Sequence, residues 1–206
     1  MSNIFDLFKK IEAPAPMPIS HLVVGLGNPG REYEGTRHNV GFEAIDHIAA
    51  AVGTRIDRAK FHALVGEANL GGHRVLLMKP ETFMNLSGTA VAEAMNFYKI
   101  PPENLLVLCD DISFDPGIFR IRRKGSHGGH NGLKNIIASI GSDNFARIKI
   151  GVGKKPHPEY DLVDWVLGRP AGADRDAIVA RHADMKEAAI LWLDGKIDEA
   201  MNRYSK

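Results

Sequence analysis

One cysteine, Cys109, is the whole thiol inventory of this 206-residue chain. No internal disulfide framework is possible, and a reducing, cytoplasmic setting is expected. Cys109 ends the apolar run Leu105-Leu106-Val107-Leu108 and reads as a buried, inert thiol. No apolar stretch approaches the ~18 residues that a membrane span needs. The first ten residues place Asp6 inside their apolar stretch and Lys9-Lys10 after it, which is the wrong order for a secretory signal. A GxSxG nucleophile elbow is missing, as is a GxxxxGK[ST] phosphate loop. Chemistry that depends on either is set aside, and activated water is the simpler nucleophile. Net charge is also scarce, at +1, yet 44% hydrophobic and 25% charged residues describe a globular chain and not a disordered one. The length fits one domain with a sizeable core.

The small net charge hides an uneven distribution. Between Pro116 and Pro158 stand Arg120, Arg122, Arg123, Lys124, Lys134, Arg147, Lys149, Lys154 and Lys155, against Asp143 alone. That local +8 leaves −7 on the remainder. A basic stripe on an acidic body suggests a polyanion met on one face. Charges dispersed over a solvated surface would read the same way in the sequence.

Residues 1–20 read as an N-terminal extension and Pro-rich linker, with 21–206 as the domain. Ile4, Leu7, Phe8 and Ile11 sit at helical spacing, and Pro14, Pro16 and Pro18 impose an extended link. Strands are expected at 22–24, 63–69, 74–78, 105–109, 118–122 and 146–152. The pair at 63–69 and 74–78 is joined by Gly71-Gly72, a plausible hairpin turn. Helices are expected near 38–52, 87–98 with Ser87 as a possible cap, 132–140, and 173–193 as the longest. Strands alternating with helices imply a single α/β domain. Its sheet should be mixed, mostly parallel and twisted, with helices on both faces.

Gly25-Leu26-Gly27-Asn28-Pro29-Gly30 matches GxGxxG after a strand. A dinucleotide site also needs a helix opening at that loop and an acidic residue on the next strand. Pro29 and Gly30 keep the chain turning, so the better reading is a loop that presents Asn28 at a strand's carboxyl end. Asn28 could equally be a turn residue satisfying its own backbone. His38, in Thr36-Arg37-His38-Asn39, is a candidate general base, because a neutral imidazole titrates near the operating pH. Asp110 stands where an apolar strand runs out, and such a carboxylate can fix a histidine tautomer. Asp111 is its competitor. Asn85 could orient a carbonyl or a water, with Phe83 and Met84 as an apolar wall or simply as core. Gly125–Gly132 reads as a polar substrate loop presenting Asn131. His127 and His130 fall short of the three or four ligands usual for zinc.

Taken together, Val24-Gly-Leu-Gly-Asn-Pro-Gly30, Tyr33 with Thr36-Arg-His-Asn39, Lys79-Pro-Glu-Thr-Phe-Met-Asn-Leu-Ser-Gly88, Asp110 and Gly128-Gly-His-Asn-Gly132 closely resemble bacterial-type peptidyl-tRNA hydrolase, from His21 onward. The resemblance implies a monomeric, metal-independent esterase without cofactor, membrane or obligate protein partner. Its substrate would be peptidyl-tRNA, and it would recycle tRNA released by ribosomes. By matched motif, His38 corresponds to the catalytic histidine, Asp110 to its aspartate, and Asn28 to the residue that distinguishes N-blocked from free aminoacyl-tRNA. Asn85 and Asn131 match substrate- and water-positioning residues. Tyr33 and Phe83 match substrate contacts with Met84 beside them, and His130 is grouped with the substrate-binding residues. Arg122 resembles a tRNA-phosphate contact more loosely. Residues 1–20, Ser113 where another acidic residue is common, and Lys149 in a stretch where arginine is frequent depart from the family pattern. The rival readings are a binding protein on the same fold, a nucleotide-dependent oxidoreductase, and a metal hydrolase using His127 and His130.

Overall fold

Alternation along the apolar strands decides the layering. Successive side chains of a strand point to opposite faces, so a strand that is apolar throughout must be covered on both sides. In β1 (His21–Gly25) Val23 faces one side of the sheet and Leu22 and Val24 the other. The computed structural model describes residues 17–205. The helix expected from Ile4, Leu7, Phe8 and Ile11 lies outside the described residues. The remaining strands are β2 (Arg58–Lys60), β3 (Ala63–Leu70), β4 (His73–Pro80), β5 (Leu105–Asp111), β6 (Phe119–Arg122) and β7 (Ala146–Gly151). They form one sheet in the order β2-β3-β4-β1-β5-β7-β6. The four central strands are parallel, and β2–β3, β3–β4 and β6–β7 pair antiparallel. This is the mixed α/β sheet expected. The β3–β4 hairpin closes on Leu70 opposite His73. Its turn residues Gly71 and Gly72 have φ of 61° and 89°, the left-handed pair that suits a two-residue turn.

The helices are α1 (Val40–Ala51), α2 (Ser87–Tyr98), α3 (Asn131–Ile140), α4 (Leu162–Leu167), α5 (Gly172–Val179), α6 (His182–Leu193) and α7 (Ile197–Tyr204). Ala44, Ile45 and Ile48 of α1, with residues of α6 and α7, pack on the Val23, Leu106 and Leu108 side. Ala90, Val91 and Ala94 of α2, with Leu133 and Ile136 of α3, cover Leu22, Val24, Val107 and Cys109. Cys109 is fully buried, as expected, and burial pushes its thiol far above the ordinary range.

Two expectations need correction. The helix expected over 173–193 is two, α5 and α6, broken at Ala180-Arg181. Ser87 does not cap α2 with its side chain: the cap position is Leu86, and the Ser87 hydroxyl donates back to the Met84 carbonyl at 2.9 Å. Two further elements have no counterpart among the expected ones: β2, a polar and exposed edge strand, and the short α4.

Close backbone contact places α1 on the sheet. A Cβ on Gly41 would lie 2.6 Å from both the backbone N and O of Leu26, and it would also strike the Leu108 carbonyl. None of these atoms belongs to a flexible side chain, so the helix itself would have to back away. Gly41→Ala is expected to destabilise the fold by about 1–3 kcal/mol, as overpacking does, read as a lower urea midpoint. An unchanged midpoint would show that α1 can shift without cost.

Candidate active site

The parallel centre of the sheet brings the carboxyl ends of β1 and β5 to the same edge, where open α/β sheets bind ligands. Past β1, the Leu26 N–H donates to the Leu108 carbonyl of β5 at 2.9 Å, and the Phe42 N–H of α1 donates to the Leu26 carbonyl at 3.2 Å. These two bonds and the Gly41 contact hold three pieces of chain together: the glycine loop, the head of α1 and the end of β5. A 3₁₀ turn, Arg37–Asn39, leads into α1 and carries His38 to the Asp110 side chain.

His38 Nδ1 donates to Asp110 Oδ1 at 2.7 Å. The other ring nitrogen, Nε2, is left without a protein partner among the described residues. Asp110 is buried, and His38 lines a cavity of about 600 Å³. Burial disfavours the charged ring, but the Asp110 carboxylate and its hydrogen bond outweigh it, and the His38 pKa sits above the ordinary histidine value. Burial likewise penalises the Asp110 anion. The two histidines that donate to it prevail, and its pKa lies well below the usual carboxylate range. Asp111, the competitor, is committed elsewhere: its Oδ2 pairs with Lys149 Nζ at 2.5 Å and its Oδ1 accepts from the Ser113 N–H at 2.7 Å.

Asn28 is not satisfying its own turn. Its Oδ1 accepts from the Met84 N–H at 2.8 Å, which settles the amide orientation. The Nδ2 donor has no hydrogen bond among the described residues, and Asn28 lines the cavity. Asn39, which the sequence reading did not single out, fixes the backbone of Asn28. Asn39 Oδ1 accepts from the Asn28 N–H at 2.8 Å, and Asn39 Nδ2 donates to the Asn28 carbonyl at 3.0 Å.

Asn85, Asn131, His130, Met84 and Phe83 line the same cavity. Asn85 and Asn131 are exposed, and neither side-chain amide has a hydrogen bond among the described residues. Met84 is buried, beneath α3, where a Cβ on Gly132 would come within 2.6 Å of its sulfur. Phe83 is 55% exposed. Tyr33 does not line the cavity, but its ring meets Phe83 edge-on with centroids 6.4 Å apart. Arg122 lies outside it, exposed on β6.

An apolar wall of the cavity is α4, with Leu162, Val163, Val166 and Leu167 lining it. Asp161 caps it, accepting from the Val163 and Asp164 N–H groups at 2.7 and 3.1 Å. An aspartate just before Leu-Val-Asp-Trp-Val-Leu was the available signal for this helix. Arg37, beside His38, ties the wall to the turn that carries His38. Its guanidinium lies 3.5 Å from the Trp165 ring centroid and donates to the Trp165 carbonyl at 3.3 Å.

The basic stripe is smaller than the sequence suggests. Arg147 is buried, donating to the carbonyls of Gly125, Ser126, Asp143 and Phe145. It braces the glycine loop and offers nothing to a polyanion. Arg123 pairs with Asp198, Lys149 with Asp111, and Lys155 turns to the Pro158 and Tyr160 carbonyls. Arg122, Lys124, Lys134 and Lys154 are exposed and have no carboxylate partner among the described residues.

Ligand atoms of His38, Asp110 and His130 lie within 4.8 Å of one another. They are spent on each other, since both histidines donate to Asp110 Oδ1. His130 Nδ1 accepts from the Gly132 and Leu133 N–H groups, and His127 Nδ1 accepts from the Gly129 N–H.

The family model for peptidyl-tRNA hydrolase matches residues 22–206. Peptidyl-tRNA hydrolase of Agathobacter rectalis is 50% identical over 186 residues, covering 90% of this chain and 100% of that protein. That of Thermoanaerobacter sp. is 47% identical, covering 90% and 99%. The crystal structure of peptidyl-tRNA hydrolase from Acinetobacter baumannii superposes with a TM-score of 0.85 at 36% identity, covering 93% of this chain and 97% of that one. On this evidence of sequence and fold, the chain belongs to the peptidyl-tRNA hydrolase family.

Proposed function

We propose that this protein hydrolyses the ester between a peptide, or an N-blocked aminoacyl group, and the terminal ribose of tRNA, with His38 as general base. It would act as a monomer in the cytoplasm, recycling tRNA from peptidyl-tRNA released by ribosomes. The observation that carries the mechanism is the 2.7 Å bond from His38 Nδ1 to Asp110 Oδ1, which leaves Nε2 as the acceptor at a cavity ringed by asparagines.

Neutral His38 takes a proton from water through Nε2 as the water attacks the ester carbonyl. The imidazolium that forms is paired with the Asp110 carboxylate. Asn85 or Asn131 donates to the oxyanion, a class of interaction worth ~2.7–4 kcal/mol in the transition state. The tetrahedral intermediate then collapses. The carbon–oxygen bond to ribose breaks, and the leaving ribose oxygen takes the proton back from His38. Peptide acid and tRNA are the products. Tyr33 and Phe83 contact the substrate end of the tRNA, with Met84 supporting them, while Arg122, Lys124, Lys134 and Lys154 supply the phosphate-facing charge.

Asn28 gives selectivity. With Oδ1 taken by Met84, Nδ2 donates to the carbonyl oxygen of the amide that precedes the ester. A free aminoacyl group offers an ammonium there, so donor meets donor. Asn28→Asp keeps an acceptor for Met84 but puts an anion where the donor was. Its kcat/KM for N-acetylaminoacyl-tRNA is expected to fall about tenfold, the worth of one hydrogen bond, while that for unblocked aminoacyl-tRNA does not fall. A constant ratio between the two substrates would remove Asn28 from this role.

A further inference from the structure

His130 is placed as no substrate-binding residue need be. Its Nδ1 accepts from the backbone N–H groups of Gly132 and Leu133 at 3.1 and 3.3 Å, capping α3. An acceptor at Nδ1 leaves the ring hydrogen on Nε2. That hydrogen is donated to Asp110 Oδ1 at 3.0 Å, the same oxygen that receives His38 at 2.7 Å. The His130 side chain is about as buried as the carboxylate it serves, with 8% exposure against 4%. The two imidazole centroids are 5.1 Å apart.

We propose that His130 is a positioning residue that links the N-terminus of α3 to Asp110 and moderates the basicity of His38. The inference rests on the reading of His38 as general base. Its physical content is competition for one oxygen. A carboxylate oxygen that accepts one N–H has less charge to offer a second, and a hydrogen bond to the charged form stabilises that form. While His130 donates, Asp110 holds the His38 imidazolium less tightly and stays in the rotamer that meets Nδ1. The helix contributes through the cap: its N-terminal N–H groups orient the ring and polarise it toward the carboxylate. The other ionisable groups lining the cavity are Asp111 and Lys149, which neutralise each other, and His127, whose Nδ1 serves its own turn. From α4 the lining is apolar.

Asparagine separates the two jobs of His130. It is a favoured N-cap, so His130→Asn keeps an acceptor for the α3 N–H groups, while its shorter side chain cannot reach Asp110. Follow the His38 ring by NMR across pH in wild type and His130→Asn, and measure kcat/KM against pH for N-acetylaminoacyl-tRNA. The His38 titration is expected to move upward by about 0.5–1 pH unit, and the acid limb of kcat/KM with it, while KM holds. His130→Ala should move the titration the same way and also lower the thermal midpoint. A His38 titration unmoved or moved downward in the folded Asn variant would overturn the inference. So would a raised KM with no titration change, the result expected of a simple substrate contact. If the NMR titration moves but the limb of kcat/KM does not follow, His130 still tunes His38 and the general-base reading is what fails.

Discussion

Replacing His38 by alanine is expected to lower kcat for N-acetylaminoacyl-tRNA by about 10²–10⁴-fold, the range that a positioned general base contributes. The fold should survive. The backbone bonds that seat the turn, from the Arg37 N–H to the Gly168 carbonyl and from the Asn39 N–H to the Thr36 carbonyl, do not involve the ring. Residual hydrolysis should remain, because the asparagine donors and the bound geometry act without the base. His38→Gln keeps most of the volume but has no titrating nitrogen, so it should be as slow as alanine. In wild type, kcat/KM should rise with pH as the ring loses its proton. The Asp110 carboxylate raises the pKa of His38 over the opposition of burial, so that limb should lie above the ~6.5 of an ordinary histidine. Near-wild-type turnover in either variant would remove His38 from the mechanism and leave Asp110 without a catalytic partner.

What could be read in advance followed from local pattern. Three strands of the parallel core, β1, β4 and β5, carry continuous apolar runs, and the hairpin carries its own Gly71-Gly72 punctuation, so both were legible. Asn28, His38 and Asp110 each stood at a strand end or helix head, so they were legible as candidates and, through the resemblance, as a set. The partnerships between distant segments were not legible. Nothing local says that the amide of Asn28 is held by the backbone of Met84, 56 positions on, or that Asn39 rather than a neighbour clamps Asn28. The basic stripe misled for the same reason. Arg147 looks like its neighbours in sequence, but it sits on the buried β7, where backbone carbonyls receive its guanidinium. His130 looked like one more polar residue in a glycine loop. Its role depends on the loop turning at Gly128 and Gly129, both at positive φ, so that the ring faces β5. The α4 wall was missed because six residues give too few turns for a helical period to stand out, leaving Asp161 as its one signal.

Asp110→Asn should cost almost as much as loss of the histidine, about 10²–10⁴-fold in kcat/KM, for a different reason. An asparagine of the same shape can offer either an oxygen or an amide N–H to His38 Nδ1. Two imidazole donors, from His38 and His130, converge on one carboxylate oxygen, so the amide oxygen is drawn to that place. The amide nitrogen must then go where the second carboxylate oxygen was. In that orientation the tautomer survives and only the charge is gone. The imidazolium that forms as water is deprotonated then has no anion beside it, in a buried site where that pairing counts for more than in water. In the opposite orientation His38 is forced to carry its hydrogen on Nε2, and it cannot act as a base at all. Both outcomes slow the reaction, and the pH profile distinguishes them. Loss of charge lowers the His38 pKa, so the acid limb should move toward lower pH, while the wrong tautomer leaves a low, flat profile. The downward shift is opposite in sign to the one expected for His130→Asn. The two variants therefore test a single electrostatic balance from its two sides. If both moved the limb the same way, the carboxylate would be acting on His38 chiefly through position and not through charge.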